Sequence, residues 1–110
     1  MGEVYQENKT SWDISRAYRQ FQRADKALAK EHYNDAVDHL NRGLDLFSSA
    51  MDHLAKAADD AYNKAGDEIG NGNDELQLCI DDYADGNYES AAGHYDNAMD
   101  YYDKALDLVD

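Results

Sequence analysis

Apolar residues recur every three or four positions along most of this chain, and no stretch shows the period-two alternation of a strand. Between about Ser11 and Lys30 they fall at Ile14, Ala17, Phe21, Ala24 and Leu28, which share one face of a first helix. Thr10 with Asp13 makes a capping-box-like start, and residues 1–10, lacking periodicity, are expected to be a flexible N-terminal tail. From Tyr33 a heptad runs without a slip through Val37, Leu40, Leu44, Phe47, Met51, Leu54, Ala58 and Ala61 to Ala65, predicting a second helix about 50 Å long. Gly66 and the cluster Gly70-Asn71-Gly72-Asn73 are expected to stop it, because these residues tolerate left-handed dihedrals and weaken helices. A third helix then runs from Asn73 or Asp74 to Gly86 with Leu76, Cys79, Ile80 and Tyr83 inward. A fourth opens at Asn87 and carries Tyr88, Ala92, Tyr95, Met99, Tyr102, Leu106 and Val109 on one stripe. The expected fold class is all-α, an up-down four-helix bundle of two duplicated αα-hairpins. Its single domain covers 11–110, with hairpin one at about 11–66 and hairpin two at about 73–110.

The duplication is written in the residues. Tyr33-x-x-Ala36-x-x-His39 returns 55 positions later as Tyr88-x-x-Ala91-x-x-His94, and Asp45, Ala50 and Asp52 match Asp100, Ala105 and Asp107. The same offset puts the start of the third helix near Ile69, opposite Ile14, where the Gly-Asn cluster makes that copy look eroded. Around the second copy, Gly86-Asn87-Tyr88 followed by Ala91, Tyr95 and Ala98 resembles the middle of a tetratricopeptide repeat. The first copy resembles it through Tyr33, Ala36, Leu40 and Gly43. The resemblance covers roughly a third of the chain and implies packed helical hairpins and peptide binding; small Ala or Gly faces let two helices approach closely. The chain departs from that family in its 55-residue period, in lacking the Trp-Leu-Gly-Tyr pattern of the first helix, and in having no Pro to close the second.

Charge narrows the function classes. The net charge is -14, carried mostly by Asp. It is lopsided: residues 1–30 hold six Lys or Arg against four acids, and residues 31–110 hold four against twenty. A surface so negative repels phosphate backbones, so nucleic acid and anionic membrane are not expected partners. No apolar run approaches the length of a bilayer span, the amino terminus has no hydrophobic signal segment, and a lone Cys79 fits a reducing compartment. A cytoplasmic protein is expected.

Candidate chemistry is sparse. With Val37 and Leu40 in the seam, His32, His39, His53 and His94 all take heptad position c, facing outward, and no two have the i,i+3 or i,i+4 spacing of shared metal ligands. Asp81-Asp82-Tyr83-Ala84-Asp85-Gly86 fails as a calcium loop, since its third position is Tyr83 and its twelfth is Ala92. Cys79 lies on an apolar face and reads as a small core residue. No catalytic, cofactor or metal residues are expected, and the chain reads as a non-enzyme. What remains is surface. Arg16, Arg19, Arg23, Lys26 and Lys30 form a basic ridge on the first helix, expected to lie against acidic neighbours inside the fold. Leu46 and its counterpart Tyr101 sit at the outward position c and suggest a contact surface. Leu46, Tyr101, Arg16, Arg19 and Arg23 are therefore the candidate interaction residues of a protein-interaction or structural module. Its partner is expected to be another protein or, by covering the overhang of the second helix, a homodimer mate. The alternative is a divalent-cation-binding or buffering protein using surface carboxylates and histidines.

Overall fold

A computed structural model describes residues 2–57 and 59–109, with side chains described from Ser11 onward. It contains four helices: α1 Gly2–Ala29, α2 Tyr33–Ala55, α3 Asp60–Asp85 and α4 Tyr88–Val109. Ala58, an expected seam position, lies outside the described residues, as do Met1 and Asp110. Backbones approach closely between α1 and α2, α2 and α3, and α3 and α4, making the expected four-helix bundle. α1 and α4 meet instead through long side chains: Tyr18 donates its hydroxyl hydrogen to Asp103 Oδ1 at 3.4 Å, and Phe21 stands edge-on to Tyr95 at 6.1 Å.

Three boundaries differ from the sequence-based expectation. α1 begins at Gly2, not Ser11, so residues 2–10 continue the helix in place of a tail; no Gly or Pro interrupts residues 3–10. The second helix does not run to Ala65 but stops at Ala55, and α3 starts at Asp60. Asp59 caps α3, its carboxylate accepting from the Ala61 N–H at 2.7 Å, and Asp59 with Asp60 places negative charge at the positive end of the helix dipole. A chain that reverses here covers α2 with its own second hairpin, so there is no overhang for a second copy to cover.

The Gly-Asn cluster is therefore inside α3. Gly72 is buried where a Cβ would stand 2.6 Å from Cε1 of Tyr102, and a Cβ on Gly70 would meet Met51 Sδ at 3.4 Å. Glycine weakens a helix by roughly 0.5–1 kcal/mol relative to alanine; here it makes room for a ring and for the neighbouring helix. The third helix is not eroded but complete, and its buried Ile69, Gly72, Leu76, Cys79 and Tyr83 answer Ile14, Ala17, Phe21, Ala24 and Leu28 at the 55-residue offset.

The seam is rotated by one position from the expected heptad. α2 buries Ala36, Leu40, Gly43, Phe47, Ala50 and Leu54, and α4 buries Ala91, Ala98, Tyr102 and Ala105; Ala92, expected inside, is exposed. Val37, Leu44, Met51 and Met99 flank the core as partly buried residues. The reason is the small side chains. Ala36, Gly43 and Ala50 let α1 and α2 approach, as Ala91, Ala98 and Ala105 do for α3 and α4, so the closest line of contact follows them. Rings fill the space between hairpins. Phe47 and Tyr102, equivalent in the duplication, stack at 3.7 Å with planes 2° apart, and Tyr33 and Tyr88, also equivalent, stack at 4.0 Å. Each hairpin thus contributes a ring from the equivalent position to a shared pseudo-twofold axis.

Candidate functional site

Rotation of the seam moves heptad position c to the edge of each hairpin, and this decides where the histidines sit. They do not all face outward. His39 donates from Nδ1 to Gln20 Oε1 at 2.8 Å, and His94 donates from Nδ1 to Glu75 Oε2 at 2.6 Å. Gln20 and Glu75 are themselves 55 residues apart, so both copies make the same interhelical tie. In the second copy it grows into a network: His94 Nε2 lies 3.7 Å from Asp82 Oδ2, which also accepts from Ser90 Oγ at 2.6 Å. His53 is aimed inward too, its Nε2 3.8 Å from Oδ2 of Asp13, a carboxylate only 5% exposed. Among the described residues, Asp13 Oδ2 and His53 Nδ1 are the buried side-chain polar atoms with no hydrogen-bond partner. Among the described residues no group of three or more His, Cys, Asp or Glu stands close enough to hold a metal ion.

Leu46 and Tyr101 move with the same rotation. Leu46 is half-buried and packs against the core, and Tyr101 is half-buried with Lys104 Nζ 5.3 Å from its ring centre. They are not a matched outer pair. Tyr101 borders a groove of about 280 Å³ with Glu75, Asn97, Asp100 and Lys104, whereas Leu46 packs against the edge of the core. Cys79 is fully buried, and burial pushes its thiol up to about 12, far from the thiolate a nucleophile needs.

Arg16, Arg19 and Arg23 are where the surface is distinctive. All three are exposed, as are Lys26 and Lys30, and no carboxylate lies within ion-pair distance of any of the five among the described residues. The ridge does not lie against acidic neighbours inside the fold, because the helix turns it away from the bundle. Placed at 100° per residue, the five cations fall within an arc of about 80° directly opposite Ile14, Ala17, Phe21 and Ala24. Trp12 falls on the same arc and is 61% exposed, the most exposed of the large apolar side chains described. Sequence reasoning missed Trp12; its signal was its spacing of four and seven residues before Arg16 and Arg19. Together Trp12, Arg16, Arg19, Arg23, Lys26 and Lys30 make a straight stripe roughly 27 Å long.

No protein-family model matches this chain, and no curated protein or solved structure matches it either. No helix among the described residues is long and apolar enough to cross a membrane.

Proposed function

We propose that this chain is a protein-interaction module of the cytoplasm, not an enzyme, and that its contact surface is the outer stripe of α1. The observation that carries the reading is the unpaired state of that stripe. A chain with 24 acidic residues keeps five cations in a line, none within reach of a carboxylate among the described residues, with an exposed indole at the head of the line. Such an arrangement attracts an acidic polypeptide by charge, and Trp12 supplies the apolar anchor typical of protein contacts. The net charge of -14 opposes every polyanion at long range, phosphate polymers and anionic membranes as much as an acidic polypeptide, so binding rests on contact with the stripe itself. The sequence resemblance of Tyr88, Ala91, Tyr95 and Ala98 to a tetratricopeptide repeat fits a binding scaffold.

Trp12 is the chain's one tryptophan, so its fluorescence reports on the stripe. Titration with polyglutamate and with an acidic helical peptide should shift its emission and shield it from iodide. Reversal of Arg19→Glu with Arg23→Glu should weaken that binding by ~10-fold or more. Because these arginines have no carboxylate partner among the described residues, the reversed protein should melt where the wild type does. No response to any acidic polypeptide, or the same response from the reversed protein, would overturn the reading.

A further inference from the structure

The face of α3 equivalent to the α1 stripe has the opposite charge. Arg19, Lys26 and Lys30 correspond, 55 residues on, to Asp74, Asp81 and Asp85. Asp60 and Asp67 extend the same line, and all five aspartates are exposed. Leu78, the counterpart of Arg23, stands on this line and is 48% exposed. Both stripes point directly away from the core, opposite Ile14 and Phe21 in α1 and opposite Ile69 and Leu76 in α3. α1 and α3 each pack on α2 and make no close backbone approach to each other, while Tyr18 and Phe21 of α1 reach Asp103 and Tyr95 of α4, so α1 and α3 stand diagonally across the bundle. One molecule therefore presents a basic line on one side and an acidic line on the other.

We propose that the α1 stripe of one copy docks on the α3 stripe of a second copy; this deepens, and rests on, the interaction-module reading. Two features fit the pair beyond the sign of their charge. Charges repeat every seven residues on both lines, at 16, 23 and 30 or 19 and 26 on α1 and at 60, 67, 74 and 81 on α3, so several contacts form in one register. Among the described side chains, each line also carries one exposed large apolar residue, Trp12 or Leu78. The contact is heterologous. Because the two lines face opposite ways, pairing uses one line on each molecule and leaves the other free, and assembly grows past two copies instead of closing as a symmetric dimer. The net charge of -14 opposes approach at long range, while the paired lines attract at contact. Association is then strongest at about 0.1–0.2 M salt, weaker at ~0.01 M where repulsion is unscreened, and lost at ~1 M.

Sedimentation velocity of the full chain up to about 1 mM, the range of weak contacts, tests this. The weight-average mass should rise steadily beyond that of a dimer and show the salt optimum. Arg19→Glu with Lys26→Glu, and separately Asp74→Lys with Asp81→Lys, should each leave the chain monomeric, with circular dichroism confirming the helical fold of these exposed variants. An equimolar mixture of the two variants should associate again, since each then meets its complement. A wild type monomeric throughout, a species that stops at two copies, or a mixture that fails to recover would overturn the proposal. If the chain stays monomeric while Trp12 still answers to acidic peptides, self-docking fails and the interaction-module reading stands. If neither responds, both fail.

Discussion

Glu31 occupies the left-handed region, with φ at 60°, and Gly86, its counterpart in the second hairpin, has φ at 83°. Both turns close their helix in the same way. The N–H of Glu31 donates to Leu28 O and that of His32 to Ala27 O, as Gly86 N–H does to Tyr83 O and Asn87 N–H to Asp82 O. This is the two-bond helix ending that glycine suits, and a side chain with a Cβ is strained there by about 1–2 kcal/mol. Glycine gives part of that back through its freer unfolded chain. Glu31→Gly should therefore stabilise the fold by about 0.5–1 kcal/mol, a rise of a few degrees in Tm, and Gly86→Glu should lower it by a similar amount. A Glu31→Gly protein that melts no higher than wild type would mean the left-handed turn carries no strain.

Within α3 the glycines separate into two kinds. At Gly72 a Cβ would collide with Tyr102, and that ring has nowhere to go: Phe47 stacks on its face at 3.7 Å and its hydroxyl donates to Asn73 Oδ1 at 2.6 Å. At Gly70 the facing atom is the sulfur of Met51, at the end of a flexible side chain. Gly72→Ala should cost about 1–3 kcal/mol by overpacking, whereas Gly70→Ala should gain up to about 1 kcal/mol of helix propensity, so urea midpoints should move in opposite directions. Equal shifts of one sign would refute this account of the cluster. The same residues explain what the sequence could and could not show. Heptad spacing made the four helices, the αα-hairpins and the Gly86 terminus legible, because periodicity and left-handed preference are local properties. The Gly-Asn cluster misled because a glycine that breaks a helix and one that admits a ring look alike until the ring is located. For the same reason the rotation of the seam toward Ala36, Gly43 and Ala50 was hidden, and with it the inward turn of His39, His94 and Leu46. Of the candidate site, the arginine ridge was legible from its spacing; its lack of carboxylate neighbours depends on which helix stands beside it.

Across the whole molecule the core is unusually aromatic, and this gives it an alkaline limit. Burial, aided by the nearby Asp103 carboxylate, pushes the Tyr18 hydroxyl up to about 12, and burial does the same for Tyr83. Tyr95 and Tyr102 are driven higher still, again chiefly by burial. In the unfolded chain all of these release their protons near pH 10. Below pH 10 both states hold the protons, and the tyrosines contribute no pH dependence. Between pH 10 and about 12 the unfolded state binds fewer protons than the folded one, so stability falls as pH rises through that window. The folded state keeps its protons because a phenolate there would lose its hydration, and Tyr102 would face the stacked rings of Phe47 and Phe21. Tm measured from pH 8 to pH 11.5 should stay level with respect to these groups until about pH 10 and then drop steeply. Tyrosinate absorbance of the folded protein should fall short of the chain's nine tyrosines until unfolding releases the remainder in one cooperative step. Full ionisation near pH 10 with the helical signal intact would show that the ring stack is open to water and that the hairpins do not close on one another.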